Sequence, residues 1–164
     1  MKKIIAIAIV AIMMLSLVSC SAKTCGVGDL TIQLPATYVD ATDVLNTLIG
    51  EEALGSSNVT ISPYISAIDG MAIVVAEEKY DSVGYGEDSL EDFFDFDEMN
   101  KVINVNGEPA YEFEQNIGET DLKGFVVLYS GEEGYYAVVF ACSADKYEAK
   151  KDQMIEYAST IEVE

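Results

Sequence analysis

Two stretches constrain the fold more than any other part of the chain. Gly124-Phe-Val-Val-Leu-Tyr129 and Tyr135-Tyr-Ala-Val-Val-Phe-Ala-Cys142 are joined by Gly131-Glu-Glu-Gly134. Each is too short for an ordinary helix, rich in β-branched and aromatic residues, and apolar at odd and even positions alike. A strand with that pattern buries both faces, so these two predict the centre of a sheet covered on both sides. Met71-Ala-Ile-Val-Val-Ala76 has the same character.

The flanking segments read as the rest of such a sheet. Asp29-Leu-Thr-Ile-Gln-Leu-Pro35 alternates Leu30, Ile32 and Leu34 against polar neighbours, which predicts a half-buried strand closed by Pro35. Val59-Thr-Ile-Ser-Pro-Tyr-Ile-Ser reads as an irregular strand interrupted by Pro63. From Lys101 a meander is expected: Val102-Ile-Asn-Val105, the hairpin dipeptide Asn106-Gly107, then the alternating Tyr111-Glu-Phe-Glu-Gln. Helical spacing appears at Ala41, Val44, Leu45, Leu48 and Ile49, with Asp40 or Thr42 as cap and Gly50 as stop. A second helix runs from about Asp145 to Ser159, with Asp145 and Glu148 as a box-like start and Tyr147, Met154, Ile155 and Ala158 facing inward. Ser89-Leu-Glu-Asp92 fits a capping box that opens a short helix face at Leu90, Phe93 and Phe94, and Ile161-Glu-Val163 reads as a last edge strand. The expected class is α+β: an antiparallel sheet flanked by helices on both faces, an α/β/α sandwich in one domain over residues 29–164.

The first twenty residues carry a different message. Met1-Lys2-Lys3 is followed by an apolar run from Ile4 to Val18, broken only by Ser16. A positive start, a short apolar core and a small residue before the cut describe a secretory signal over residues 1–19. The run is short for a membrane span, which needs about 20 apolar residues. It ends Leu17-Val18-Ser19-Cys20, which resembles the lipobox of bacterial lipoproteins. The resemblance implies cleavage between Ser19 and Cys20, acylation of Cys20 and a lipid-anchored extracytoplasmic domain, on the outer face of the cell membrane in a Gram-positive source. Residues 20–28 then read as a small, polar, lipidated tether.

The run Ile103-x-Val105-x-Gly107-x-Pro109-Ala110-Tyr111, followed by two long strands, a helix and a terminal strand, is similar to the PsbP-like superfamily. That superfamily includes the Ran-binding protein Mog and the DcrB-like lipoproteins, and Ile32-x-Leu34-Pro35 resembles its first strand. The resemblance implies the fold. Function does not follow from it, because one fold hosts unrelated activities.

Composition removes several chemistries. The chain has 9 lysines, no arginine, no histidine and a formal charge of −20, and removing Lys2 and Lys3 takes it to −22. Such acidity argues against nucleic acid, whose phosphates require Lys and Arg. Without histidine there is no imidazole base, no Ser-His or Cys-His pair and no histidine metal ligand. Without arginine there is no bidentate clamp on phosphate or carboxylate. Paired carboxylates would leave hydrolysis open as an alternative, but no pair stands out among 29 acids. The chain is therefore not expected to be an enzyme.

Three residue sets remain as candidate sites. Glu87-Asp88-Ser-Leu-Glu91-Asp92-Phe-Phe-Asp95-Phe-Asp97-Glu98 is acidic and aromatic. A helix-loop-helix calcium loop counted from Asp81 places Gly86 and Asp92 correctly but meets Val83 and Tyr85 where oxygen ligands belong. What is left is a looser Ca²⁺ site at Asp92, Asp95 and Asp97, an alternative to a solvated helix face. Cys25 and Cys142 could pair in an oxidising compartment, against the alternative that Cys142 is a small core residue. Tyr129, Tyr135 and Tyr136 flank the Glu132-Glu133 turn, and Tyr64, Tyr80 and Tyr85 lie in or near loops, so these tyrosines are divided between core packing and an interaction surface. The expected role is a non-catalytic, membrane-tethered binding or accessory domain with a protein or cell-envelope partner.

Overall fold

The computed structural model describes residues 22–43, 59–80, 100–117 and 120–164, with residues 100–103 and 117 described by their backbone alone. Among these described residues ten strands make two antiparallel sheets. The larger contains β3 (Val39–Asp40), β4 (Val59–Ser66), β5 (Met71–Lys79), β6 (Asn100–Val105), β7 (Glu108–Ile117), β8 (Thr120–Ser130) and β9 (Gly134–Ser143), in the order β3-β4-β5-β9-β8-β7-β6. The smaller contains β1 (Ala22–Val27), β2 (Leu30–Pro35) and β10 (Glu162–Val163), in the order β1-β2-β10. A 3-10 turn at Ala144–Lys146 leads into the helix α1 (Tyr147–Ala158).

The strands that are apolar on both faces are central, as their pattern requires. β9 lies fourth of seven, between β5 and β8. Ile73, Val75, Phe125, Val127, Val138 and Phe140 point to one core, while Val74, Ala76, Val126, Ala137 and Val139 point to a second core on the opposite face. Phe125 and Phe140 are opposite one another in register and stack at 5.0 Å.

The expected sandwich with helices on both faces is corrected here. Sheet dominates, and α1 is the one full helix among the described residues. It shares the first core with Leu30, Ile32 and Leu34 of β2, so that face is covered by a small sheet together with one helix. The reason is local: β2 has a clean apolar edge, but a strand must also satisfy its backbone, and β1 and β10 supply the ladder on its two sides. The helix expected over residues 41–50 begins at Thr42 and Asp43, where Asp40 Oδ1 accepts from Thr42 N at 2.8 Å. Its remainder, and the short helix face at Leu90, Phe93 and Phe94, lie outside the described residues.

A second correction concerns residues 22–27, read as tether. They are strand β1, paired along its whole length with β2 from Ala22↔Pro35 to Val27↔Leu30, with Cys25 buried. The far edge of β1 is pinned to the large sheet, since Gly26 N donates to Tyr64 Oη and Tyr64 Oη donates to Gly26 O, both at 3.1 Å. Folded structure therefore reaches back to Ala22.

Two punctuation marks behave as their chemistry demands. Asn106 (φ 53°) and Gly107 (φ 93°) form the tight hairpin, and Asn104 Oδ1 accepts from Gly107 N at 2.8 Å. Pro63 sits inside β4 without breaking it, because its carbonyl accepts from Ala41 N on the β3 side. The missing N–H faces that short edge and removes no bond to β5. At α1 the Asp145/Glu148 box does not form: Lys146 is the N-cap and no side chain caps the helix. Asp145 is used elsewhere, accepting from Ser143 Oγ.

Candidate functional site: an aromatic and acidic tip

The β8–β9 turn and the end of β5 come together at one end of the large sheet. Register sets this up: Lys79↔Gly134 and Glu78↔Tyr135 join β5 to β9, and Tyr129↔Tyr136 and Ser130↔Tyr135 join β9 to β8. A Cβ at Gly134 would lie 2.4 Å from the Glu78 carbonyl oxygen, so only glycine lets β9 close on β5 there. Tyr135 then meets Tyr80 edge to face, ring centroids 4.9 Å apart at 88°. The turn is locked from three directions. Gly131 N donates to Gly134 O, Tyr80 N donates to Glu133 O, and Tyr80 Oη donates to Gly131 O, each at 2.9 Å.

Both rings remain open to solvent, Tyr80 at 38% and Tyr135 at 46%. Glu132 and Glu133 are exposed beside them, and an open recess of about 330 Å³ is lined by Lys79, Tyr80, Glu132 and Glu133. Aromatic faces with adjacent carboxylates are suited to an ammonium or guanidinium group, through cation–π and charge-assisted contact. The rigid turn presents this chemistry without further ordering. Behind the recess Tyr136 is fully buried, accepting from Asp29 N at 3.2 Å and donating to the buried Glu77 at 3.4 Å.

The tyrosines singled out from sequence thus divide. Tyr80 and Tyr135 are exposed and together, Tyr64 and Tyr136 are core residues, and Tyr129 is half-buried against the first core. Tyr85 lies outside the described residues, as do Ser19, Cys20, Asp92, Asp95 and Asp97. Among the described residues no group of three or more metal-ligating side chains converges. Of the two readings of Cys25 and Cys142, the bridge is not made: both are buried free thiols in the first core. Burial, with Asp145 adding to it, pushes the Cys142 thiol up to about 11, which disfavours the reactive thiolate.

One polar cluster escaped the sequence reading. Glu112 of β7 accepts from Tyr147 Oη and from Lys151 Nζ, both at 2.7 Å, and Lys123 and Lys151 lie 5.1 and 5.6 Å from the Tyr147 ring centre. Burial would raise the Glu112 carboxyl, but the bonds from Lys151 and Tyr147 and the charges of Lys151 and Lys123 hold it below the usual glutamate value of 4.5. Because the folded value is depressed, the stability it contributes is full above the unfolded value and is lost as pH falls through the folded one. Lys151→Met is expected to cost about 2 kcal/mol at pH 7, in the range for bonds to charged groups. That difference should shrink as pH falls below the usual glutamate value of 4.5 and through the lower folded one. Melting curves of both chains from pH 3 to 7 check this, and a cost that stays constant with pH contradicts it.

No protein-family model matches the chain, and no curated protein matches it in sequence. Solved structures do match in shape. The cyanobacterial PsbP protein (CyanoP) of Synechocystis sp. PCC 6803 superposes with a TM-score of 0.53 at 11% identity, over 90% of this chain and 95% of that one. A mutant of the protein Mog1 gives 0.46 at 13% identity, covering 87% and 96%. A Pseudomonas aeruginosa protein of unknown function, PA94, described as a putative regulator, gives 0.40 at 9%, covering 85% and 94%. At 11% identity the likeness to CyanoP shows the fold alone. The chain has the PsbP-like fold.

Proposed function

We propose that the protein is an extracytoplasmic lipoprotein, anchored to a bacterial membrane through Cys20, whose domain is a non-catalytic binding or accessory module. The tip at Tyr80 and Tyr135 is its recognition surface, and the partner is a protein or envelope component presenting lysine, arginine or another cation. The observation that carries this reading is the exposed edge-to-face tyrosine pair set rigidly beside Glu132 and Glu133. Exposed tyrosines with a polar rim are the residues interfaces favour. The N-terminal Lys2-Lys3, the apolar run and Leu17-Val18-Ser19-Cys20 support the anchor.

An oligolysine peptide is the first probe, titrated at low salt into the chain and into a Tyr80→Ser/Tyr135→Ser variant of unchanged charge. A chain this acidic attracts polycations everywhere, so the weight falls on the tyrosines. The proposal expects the double variant to bind at least tenfold more weakly. Equal affinity would mean diffuse charge attraction and would remove the tip from the account.

A further inference from the structure

We infer that the domain is held tightly against the bilayer by β1, with the turn that carries Ile68 on the lipid surface and the Tyr80–Tyr135 tip facing away from it. This rests on the reading of Cys20 as the anchor and adds to it the orientation and the lipid-contacting surface. β1 begins at Ala22, two residues after Cys20. Two residues span at most about 7 Å of chain. Since β1 is zipped onto β2 over six residues and pinned to Tyr64, little slack remains between an anchored Cys20 and the folded domain.

The end of the molecule nearest that anchor can be named. Ala22 is opposite Pro35, and two residues beyond Pro35 Thr37 Oγ1 donates to Asp69 Oδ2 at 3.5 Å. Asp69 belongs to the β4–β5 turn, where its neighbour Ile68 is 53% exposed. Among the described residues Ile68 is the one large aliphatic side chain so exposed. Lysines gather at the same end: Lys23 lies on β1, Lys123 is opposite Cys142, and Lys146 and Lys150 open the helix that follows β9. They intermix with Asp69, Asp121, Asp145 and Glu148, so an anionic bilayer does not meet a surface of one sign there. The opposite end has Glu132 and Glu133 in its turn. Cys142 and Tyr135 mark the two ends of β9, whose 10 residues measure about 30 Å. An apolar side chain at the short end of a lipid tether meets the head-group boundary, and a recognition surface at the other end meets partners.

The test uses the full lipidated chain in vesicles of phosphatidylethanolamine and phosphatidylglycerol, with a nitroxide spin label at Ile68→Cys or Tyr135→Cys. Cys25 and Cys142 are buried and do not compete for the label. Collision with a water-soluble nickel chelate is expected to be at least threefold weaker at position 68 than at position 135, with oxygen collision favoured at 68. Equal exposure of both labels overturns the inference. So does equal shielding of position 68 in residues 21–164 free of lipid and detergent, which would mean that a second copy of the chain covers it. Flotation of the vesicles with the lipidated chain and with residues 21–164, which lack both Cys20 and the apolar run, separates the anchor from the orientation. A chain that floats irrespective of Cys20, or never floats, removes the anchor and the orientation together; one that floats through Cys20 with position 68 exposed removes the orientation alone.

Discussion

Phe125→Ala should be among the most damaging single substitutions in the domain, costing about 4 kcal/mol, as for large aromatic truncations in a core. Phe125 is fully buried on β8, stacked against Phe140 at 5.0 Å and flanked by β7 and β9. The cavity left behind has little freedom to close, because sheet ladders on both sides fix the backbone that would have to move inward. At about 2–4 °C per kcal/mol for a domain of this size, the melting midpoint should fall by roughly 10–15 °C. Calorimetry of the two chains measures it. A fall of less than about 3 °C would show that the centre of the sheet is not the packed layer described.

Gly26→Val acts on a different layer. A Cβ at Gly26 would lie 2.0 Å from the Leu30 carbonyl oxygen, and its φ of 154° falls where side chains are seldom found. The obstacle is backbone, which cannot swing aside, so β1 must leave its place on β2 at a cost of about 3 kcal/mol. Cys25 is buried in the pairing of β1 with β2, whereas Cys142 lies on central strand β9. Treatment of the native variant with a thiol reagent should therefore label Cys25 quickly while Cys142 stays protected, as mass spectrometry of the peptides would resolve. Both thiols protected, with an unchanged midpoint, would mean that β1 is not held as described. In the membrane the same variant also lengthens the leash, because up to eight more residues between Cys20 and Leu30 become free to extend.

Much of the architecture is legible from local pattern. The runs at 71–76, 124–129 and 135–142 demanded cover on both faces, and β5, β8 and β9 occupy the interior of the seven-stranded sheet. Asn106-Gly107 announced its hairpin because few other dipeptides accept positive φ at both positions. Leu30, Ile32 and Leu34 showed which side of β2 is buried. What pattern could not convey is what backbone pairing alone decides. Residues 22–27 have one buried apolar side chain, Cys25, and no alternation, so nothing in their composition separates a docked strand from a loose segment. The part that the β1-β2-β10 sheet takes, beside α1, in covering the first core follows from that same omission.

The candidate site was half legible. Tyr135 and the Glu132-Glu133 turn are adjacent in sequence, but Tyr80 lies 55 positions from Tyr135 and joins it only through the Glu78↔Tyr135 register. The Glu112–Tyr147–Lys151 cluster is likewise a product of three elements meeting, and an acidic residue on a strand with one wet face gave no signal of it. Glu77 directly follows the apolar run at 71–76 and is succeeded by Glu78 and Lys79, so in sequence it reads as the polar end of a strand and not as a buried carboxylate beside Tyr136.

The central claim, recognition at the tip, is tested most directly by placing a photo-cross-linking amino acid at position 135 of the full chain in its own cells, with position 68 as the control at the other end. The account predicts a discrete cross-linked protein or envelope component from position 135 that disappears when Tyr80→Ser is added and is absent from position 68. The same product from both positions, or none from 135 while other exposed sites on the domain yield one, would contradict it.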